Sequence, residues 1–165
     1  MSETTPNPAQ GRDEQEVARF VERFALDFSE AGFPRMAARV FVRLLVTDEG
    51  SCTAAELARS LQVSAAAISG AVRYLIQVGL VVREREPGSR RDHYTVRDDM
   101  WYEAFAQRDE QFQHWENTLL EGVSALGAET AAGSRLDETR RFFEFLRAEL
   151  PKLMDKWRAQ EGREK

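Results

Sequence analysis

The sequence predicts a mainly α-helical protein with one small β-hairpin. Three observations carry that reading. Apolar residues recur at three- and four-residue steps through most of the chain, two short helical stretches meet at a tight turn near Leu61, and two β-prone runs flank Pro87-Gly88-Ser89.

Residues 1–12 contain Pro6, Asn7, Pro8 and Gly11 without periodicity and are expected to be disordered. From about Asp13, the residues Val17, Phe20, Val21, Phe24 and Phe28 form one stripe on a helix that ends at Gly32. Pro34 suits the first turn of a second helix carrying Met36, Val40, Phe41, Leu44 and Leu45, which stops at Asp48-Glu49-Gly50. Thr53 and Glu56 have capping-box spacing ahead of Leu57 and Leu61. Ser64 then caps another short helix with Ile68, Val72, Leu75 and Ile76 inward, closed by Gly79. The hairpin follows, from LVVRERE to RDHYTV. A long helix is expected from about Asp98 to Leu126 with Trp101, Phe105, Phe112, Trp115 and Leu119 in register, and another from about Leu136 to Arg158, which Pro151 should kink or restart. The implied division is a tail at 1–12, an N-terminal dimerisation helix at 13–33, a DNA-binding domain at 34–97 and a C-terminal helical dimerisation and effector region at 98–165.

Composition narrows the function. With 42% hydrophobic and 31% charged residues the chain is ordinary for a globular protein. No apolar run approaches the length of a membrane span, and MSETTPNPAQGRDEQE has neither the basic start nor the hydrophobic stretch of a signal peptide, so a cytoplasmic protein without membrane attachment is expected. The net charge of −5 is unevenly spread. Residues 34–97 carry ten arginines against six acidic residues, between flanks that are both acidic. The local field, rather than the total charge, governs what docks on a surface, so the basic middle is an electrostatic footprint for nucleic acid.

Two short helices joined by a tight turn, followed by a hairpin with a basic tip, make the layout of a winged helix-turn-helix. Its second helix enters the major groove of double-stranded DNA with its N-terminal residues at base edges. Ala65 and Ala66 permit close approach and contact with a thymine methyl, Ser64 and Ser69 can bond bases or phosphates, and Arg73 can reach a guanine or a phosphate. Arg90 and Arg91 stand at the wing tip, placed for phosphates or a narrow minor groove. Arg83 and Arg85 alternate with Glu84 and Glu86, so cross-strand neutralising pairs compete with a DNA role.

From TAAELARSLQVS through the hairpin the sequence resembles the MarR family of winged-helix transcriptional regulators. The segments GFPRMAARVFVRLL and PGSRRDHYTVRDDMW are most similar to its GbsR-like branch. The resemblance implies a homodimer, built by the N- and C-terminal helices, that binds a near-palindromic operator, as a repressor in the simplest case, and responds to a small molecule. It assigns Ser64, Ala65, Ala66, Ser69 and Arg73 to the recognition helix and Arg90, Arg91 and Asp92 to the wing. Many MarR wings place an Asp shortly before the conserved arginine. Here Gly88-Ser89 occupies that region and Asp92 follows.

Rival readings are plain ones. The same fold can serve as a protein-interaction module without DNA, although that role favours apolar residues where Ser64, Ser69 and Arg73 stand. The stripe of Trp101, Phe105, Phe112 and Trp115 reads either as core packing or as an aromatic cage for a cationic effector, with Tyr94, Trp101 and Phe105 as its candidate residues and Asp98 and Asp99 beside them. Cys52, the only cysteine, precedes a helix start and reads either as a small buried residue or as a redox sensor. His93 and His114 have no metal-ligand spacing, no Gly-rich phosphate loop or nucleophile motif is present, and neither catalytic residues nor a cofactor is expected.

Overall fold

The computed structural model describes residues 13–85, 87–88 and 90–162, so the tail expected to be disordered lies outside the described residues. Two compact units are present. The first comprises the chain through Ile76 and Val81–Val96; the second comprises Gln77–Leu80 and the chain from Arg97 onward.

In the first unit, α1 (Glu14–Glu30) starts where the Asp13 carboxylate accepts the amides of Gln15 and Glu16. It buries Val21 and Ala25, and its edge-on Phe28 ring meets Phe33 at 5.4 Å and Phe41 at 5.7 Å. Pro34 is the residue before α2 (Arg35–Leu45) rather than part of its first turn. Ala37, Ala38, Val40, Phe41, Val42 and Leu44 are all buried, which makes α2 the centre of the unit. Leu57 of α3 (Ala54–Leu61) and Ile68 and Leu75 of α4 (Ala65–Gln77) complete this core.

A strand the sequence reading lacked, β1 (Ser51–Thr53), pairs antiparallel with β3 (Asp92–Thr95), which also pairs with β2 (Val82–Arg85) in a sheet of order β1-β3-β2. Three residues carry no readable period, and Thr53 has a second duty as the cap of α3. The pairing brings Ser51 opposite Thr95 and Cys52 opposite Tyr94. Cys52 is only 7% exposed, which favours the plain packing reading over a solvent-facing sensor.

In the second unit the expected single helix from Asp98 is two: α5 (Met100–Ala106) and α6 (Arg108–Leu126), meeting at Gln107. Phe105 and Phe112 are two full turns apart, so the apolar stripe keeps its phase across the break and conceals it from the sequence. The last helix, α7 (Ala131–Gln160), starts five residues earlier than expected because Thr130 caps it, accepting the Gly133 amide at 2.9 Å. It continues through Pro151 without restarting. Rings of Phe112, Trp115 and Phe143 cluster between α6 and α7 at centroid separations of 4.9 to 5.8 Å, beside an Arg147–Glu116 ion pair of 2.9 Å. Among the described residues no helix is long and apolar enough to cross a membrane.

Candidate nucleic-acid interface

The first helix of the candidate reading head is fixed by reciprocal hydrogen bonds. Thr53 Oγ1 accepts the Glu56 amide at 3.3 Å and donates to Glu56 Oε2 at 2.8 Å, while the Thr53 amide donates to the same oxygen at 2.7 Å. These bonds, led by the Thr53 amide, hold the Glu56 carboxyl below its ordinary value. After Leu61 the chain turns at Gln62, whose φ of 55° is left-handed. Ser64 Oγ then accepts the Ala67 amide at 3.2 Å and starts α4.

The two faces of α4 differ sharply. Ile68, Ala71, Val72 and Leu75 are buried, whereas Ser64, Ala65, Ala66, Ser69, Gly70 and Arg73 are exposed. All five residues assigned to the recognition helix therefore lie on its solvent side, at steps of three and four that put Ala66, Ser69 and Arg73 on one stripe. Gly70 shares that face and escaped the sequence reading, because a helical glycine carries no chemical signal of its own. Ile76, expected inward, is 38% exposed at the end of the helix.

Arg90 and Arg91 are exposed between the Pro87-Gly88 turn and β3, where Gly88 has φ 86°. Arg83 and Arg85 are engaged in cross-strand pairing, but the partner is Asp92 rather than Glu84. Asp92 accepts both guanidiniums, with Arg85 at 3.0 Å, and the Arg83 hydrogen bond first, then Arg85, lowers its pKa. Glu84 instead accepts the Thr95 hydroxyl at 3.2 Å, and Glu86 lies outside the described residues. The wing's acid thus ties together the loop end of the hairpin ladder, with Arg90 and Arg91 on the tip side of it. Register explains this: Arg85 faces Asp92 directly and Arg83 sits two residues along the same face.

The aromatic residues suggested for an effector fall in different units: Tyr94 is half-buried in β3, while Trp101 and Phe105 belong to α5, where they are 38% and 41% exposed. Phe112 is buried and Trp115 half-buried, both against Phe143. The cation-binding chemistry near Asp99 is satisfied internally, since the Arg158 guanidinium lies 3.2 Å above the Tyr102 ring and 3.8 Å from Asp99. Phe105 borders a cleft with Phe112, Leu150 and Pro151 of about 20 Å³, room for roughly one water. A larger cleft, about 240 Å³, lies in the first unit between Val17, Val21 and Leu61, with Glu22 and Arg43 at its rim. Sequence periodicity could not have shown it. Among the described residues no group of three or more His, Cys, Asp or Glu side chains could hold a metal ion.

Two capped short helices with a one-sided second helix and an adjoining hairpin define a winged helix-turn-helix protein. Comparison with known proteins sharpens the class. A MarR family model matches residues 31–92, and an MmpR5-like MarR family transcriptional regulator model matches residues 99–160. The HTH-type transcriptional regulator MmpR5 of Mycobacterium tuberculosis is 29% identical over 134 residues, covering 81% of each chain. A crystal structure of a transcriptional regulator overlays with a TM-score of 0.78 at 26% identity, covering 86% of this chain and 97% of that one. A MarR family transcriptional regulator from Streptomyces coelicolor is 20% identical with a TM-score of 0.38, covering 86% of this chain and 88% of its own. The chain is similar to MarR-family transcriptional regulators in both halves of its sequence and has the MarR-type winged-helix fold.

Proposed function

We propose that the protein is a sequence-specific DNA-binding transcriptional regulator, not an enzyme, acting in the cytoplasm as a homodimeric repressor on a near-palindromic operator. The observation that carries this reading is the division of α4: one face is buried, and the other presents Ser64, Ala65, Ala66, Ser69 and Arg73, with a large apolar side chain exposed only at Ile76 in the last turn rather than across the face. A protein-docking face would need such apolar anchors. The exposed Arg90 and Arg91 add phosphate-binding charge beside it. Similarity to curated and solved transcriptional regulators supports the same reading, and the GbsR-like branch rests on the sequence segments quoted above.

A homodimer is favoured by apolar residues left on the surface of the terminal helices: Phe20 and Leu26 on α1, and Phe142, Phe145, Leu153 and Trp157 on α7. Two copies would present two α4 helices to half-sites about one helical turn apart. Release by a small molecule completes the proposal, with Trp101 and Phe105 of α5 as its candidate contacts and tryptophan fluorescence as the readout.

The test is selection of duplexes from a randomised pool by the wild-type protein. Arg73→Ala should then weaken the selected duplex by about 1–3 kcal/mol while sparing random DNA, because only the specific complex makes the base contact. Arg91→Ala should weaken both and lower the salt slope by about one. Failure to enrich any sequence, or equal losses for both variants on both duplexes, would refute the proposal.

A further inference from the structure

Gly70 stands near the middle of α4, and nothing among the described residues explains it. Glycine inside a helix is destabilising relative to alanine because it orders more backbone freedom and buries nothing. Such a cost is usually offset in one of two ways. One is a backbone that only glycine adopts, yet Gly70 is helical and is absent from the positive-φ residues. The other is a neighbour too close for a Cβ, yet a Cβ placed on Gly70 meets no atom of the described residues within 4 Å. Contrast Gly133 of α7, where a Cβ would come 2.0 Å from the Gly127 carbonyl oxygen. Gly133 is required by packing; Gly70 is not.

The residue is exposed on the stripe that carries Ala66 one turn before it and Arg73 one turn after. We infer that Gly70 is the point at which α4 approaches its DNA most closely, the missing side chain letting the helix backbone sit nearer the base edges than any other residue would. This rests on the DNA-binding reading and assigns within it a specificity-determining residue. Ala66 and Ser69 beside it carry only a methyl and a hydroxymethyl group, so neither bars the approach at Gly70. The geometry also fixes what Arg73 can do: with the helix seated deeply, a long side chain one turn onward reaches the base edge or phosphate beside the closest point.

The experiment compares wild type with Gly70→Ala and Gly70→Leu, using the duplex selected by the wild-type protein and a random duplex. Gly70→Ala should raise Tm by about 2 °C, since alanine is the better helix former and meets no obstacle. It should nevertheless weaken the selected duplex by about tenfold, the scale of one disrupted base pair contact, and leave random DNA unchanged because non-specific complexes are held by phosphates farther out. Gly70→Leu should weaken the selected duplex further. Wild-type affinity in a folded Gly70→Ala protein would overturn the inference and leave the regulator reading standing. A lower Tm would place the glycine's role in the fold and overturn it as well. A wild-type protein that selects no duplex would remove both.

Discussion

Replacing Thr53 with valine would test the junction that sets the angle of α3 against the sheet. The methyl-bearing branch of the side chain is kept in β1, where Thr53 is 9% exposed, while the hydroxyl is lost. Two bonds disappear: the 3.3 Å cap to the Glu56 amide and the 2.8 Å donation to Glu56 Oε2. The 2.7 Å bond from the residue 53 amide to that carboxylate survives. One cap bond of long geometry and one charge-assisted bond on a solvent-accessible carboxylate together give a loss of about 1 kcal/mol, or a Tm lower by roughly 2–4 °C. Glu56→Ala removes the complementary half and should cost about the same. The double variant should cost about 0.5 kcal/mol less than the sum, because the two residues serve each other. Urea denaturation followed by circular dichroism measures the cycle. The acid limb supplies the sign. The Glu56 carboxyl is held below its ordinary value of 4.5, chiefly by the Thr53 amide and then its hydroxyl. A depressed folded value means the carboxylate's contribution is fully present above the unfolded value and is lost as pH falls through the folded one. The destabilisation caused by Glu56→Ala should therefore be constant from neutral pH down to about pH 5 and shrink below the ordinary carboxylate range. Additive single effects at neutral pH, or a difference that grows as the solution is acidified, would refute the capping argument.

Two further perturbations have equally definite signs. Gly133→Ala should lower stability by about 1–3 kcal/mol in the same denaturation assay despite alanine's higher helix propensity, because its Cβ would be driven into the Gly127 carbonyl and the start of α7 would have to move. A neutral or stabilising result would mean that the α6–α7 connection yields more easily than its packing indicates. Leu153→Glu, on the exposed apolar side of α7 that it shares with Phe145, Leu146 and Leu150, should convert the proposed dimer to monomer in sedimentation at micromolar concentration while leaving helicity intact. An unchanged sedimentation coefficient would place the dimer contact elsewhere.

The sequence by itself determined those features whose cause is local. A hydroxyl followed three residues later by a carboxylate announces the start of α3, and Ser64 does the same for α4, because caps are made by neighbours in the chain. The buried face of α4 was legible for the same reason, since a helix converts spacing directly into direction. The exposed face of α4 and the two exposed arginines after the hairpin turn followed from the residues left over. What the sequence could not show depends on partners distant in the chain or on the absence of a side chain. Strand β1 exists because Ser51, Cys52 and Thr53 find Thr95, Tyr94 and His93 some forty residues later, a pairing no three-residue pattern can encode. The acid that neutralises Arg83 and Arg85 was decided by hairpin register, which brought Asp92 across the ladder and left the adjacent Glu84 to a threonine hydroxyl. The break at Gln107 left the apolar phase undisturbed and so had no sequence signature. Gly70 and Gly133 are the same letter in the same kind of helix, and only the space around each Cβ position separates a residue demanded by packing from one the fold does not require.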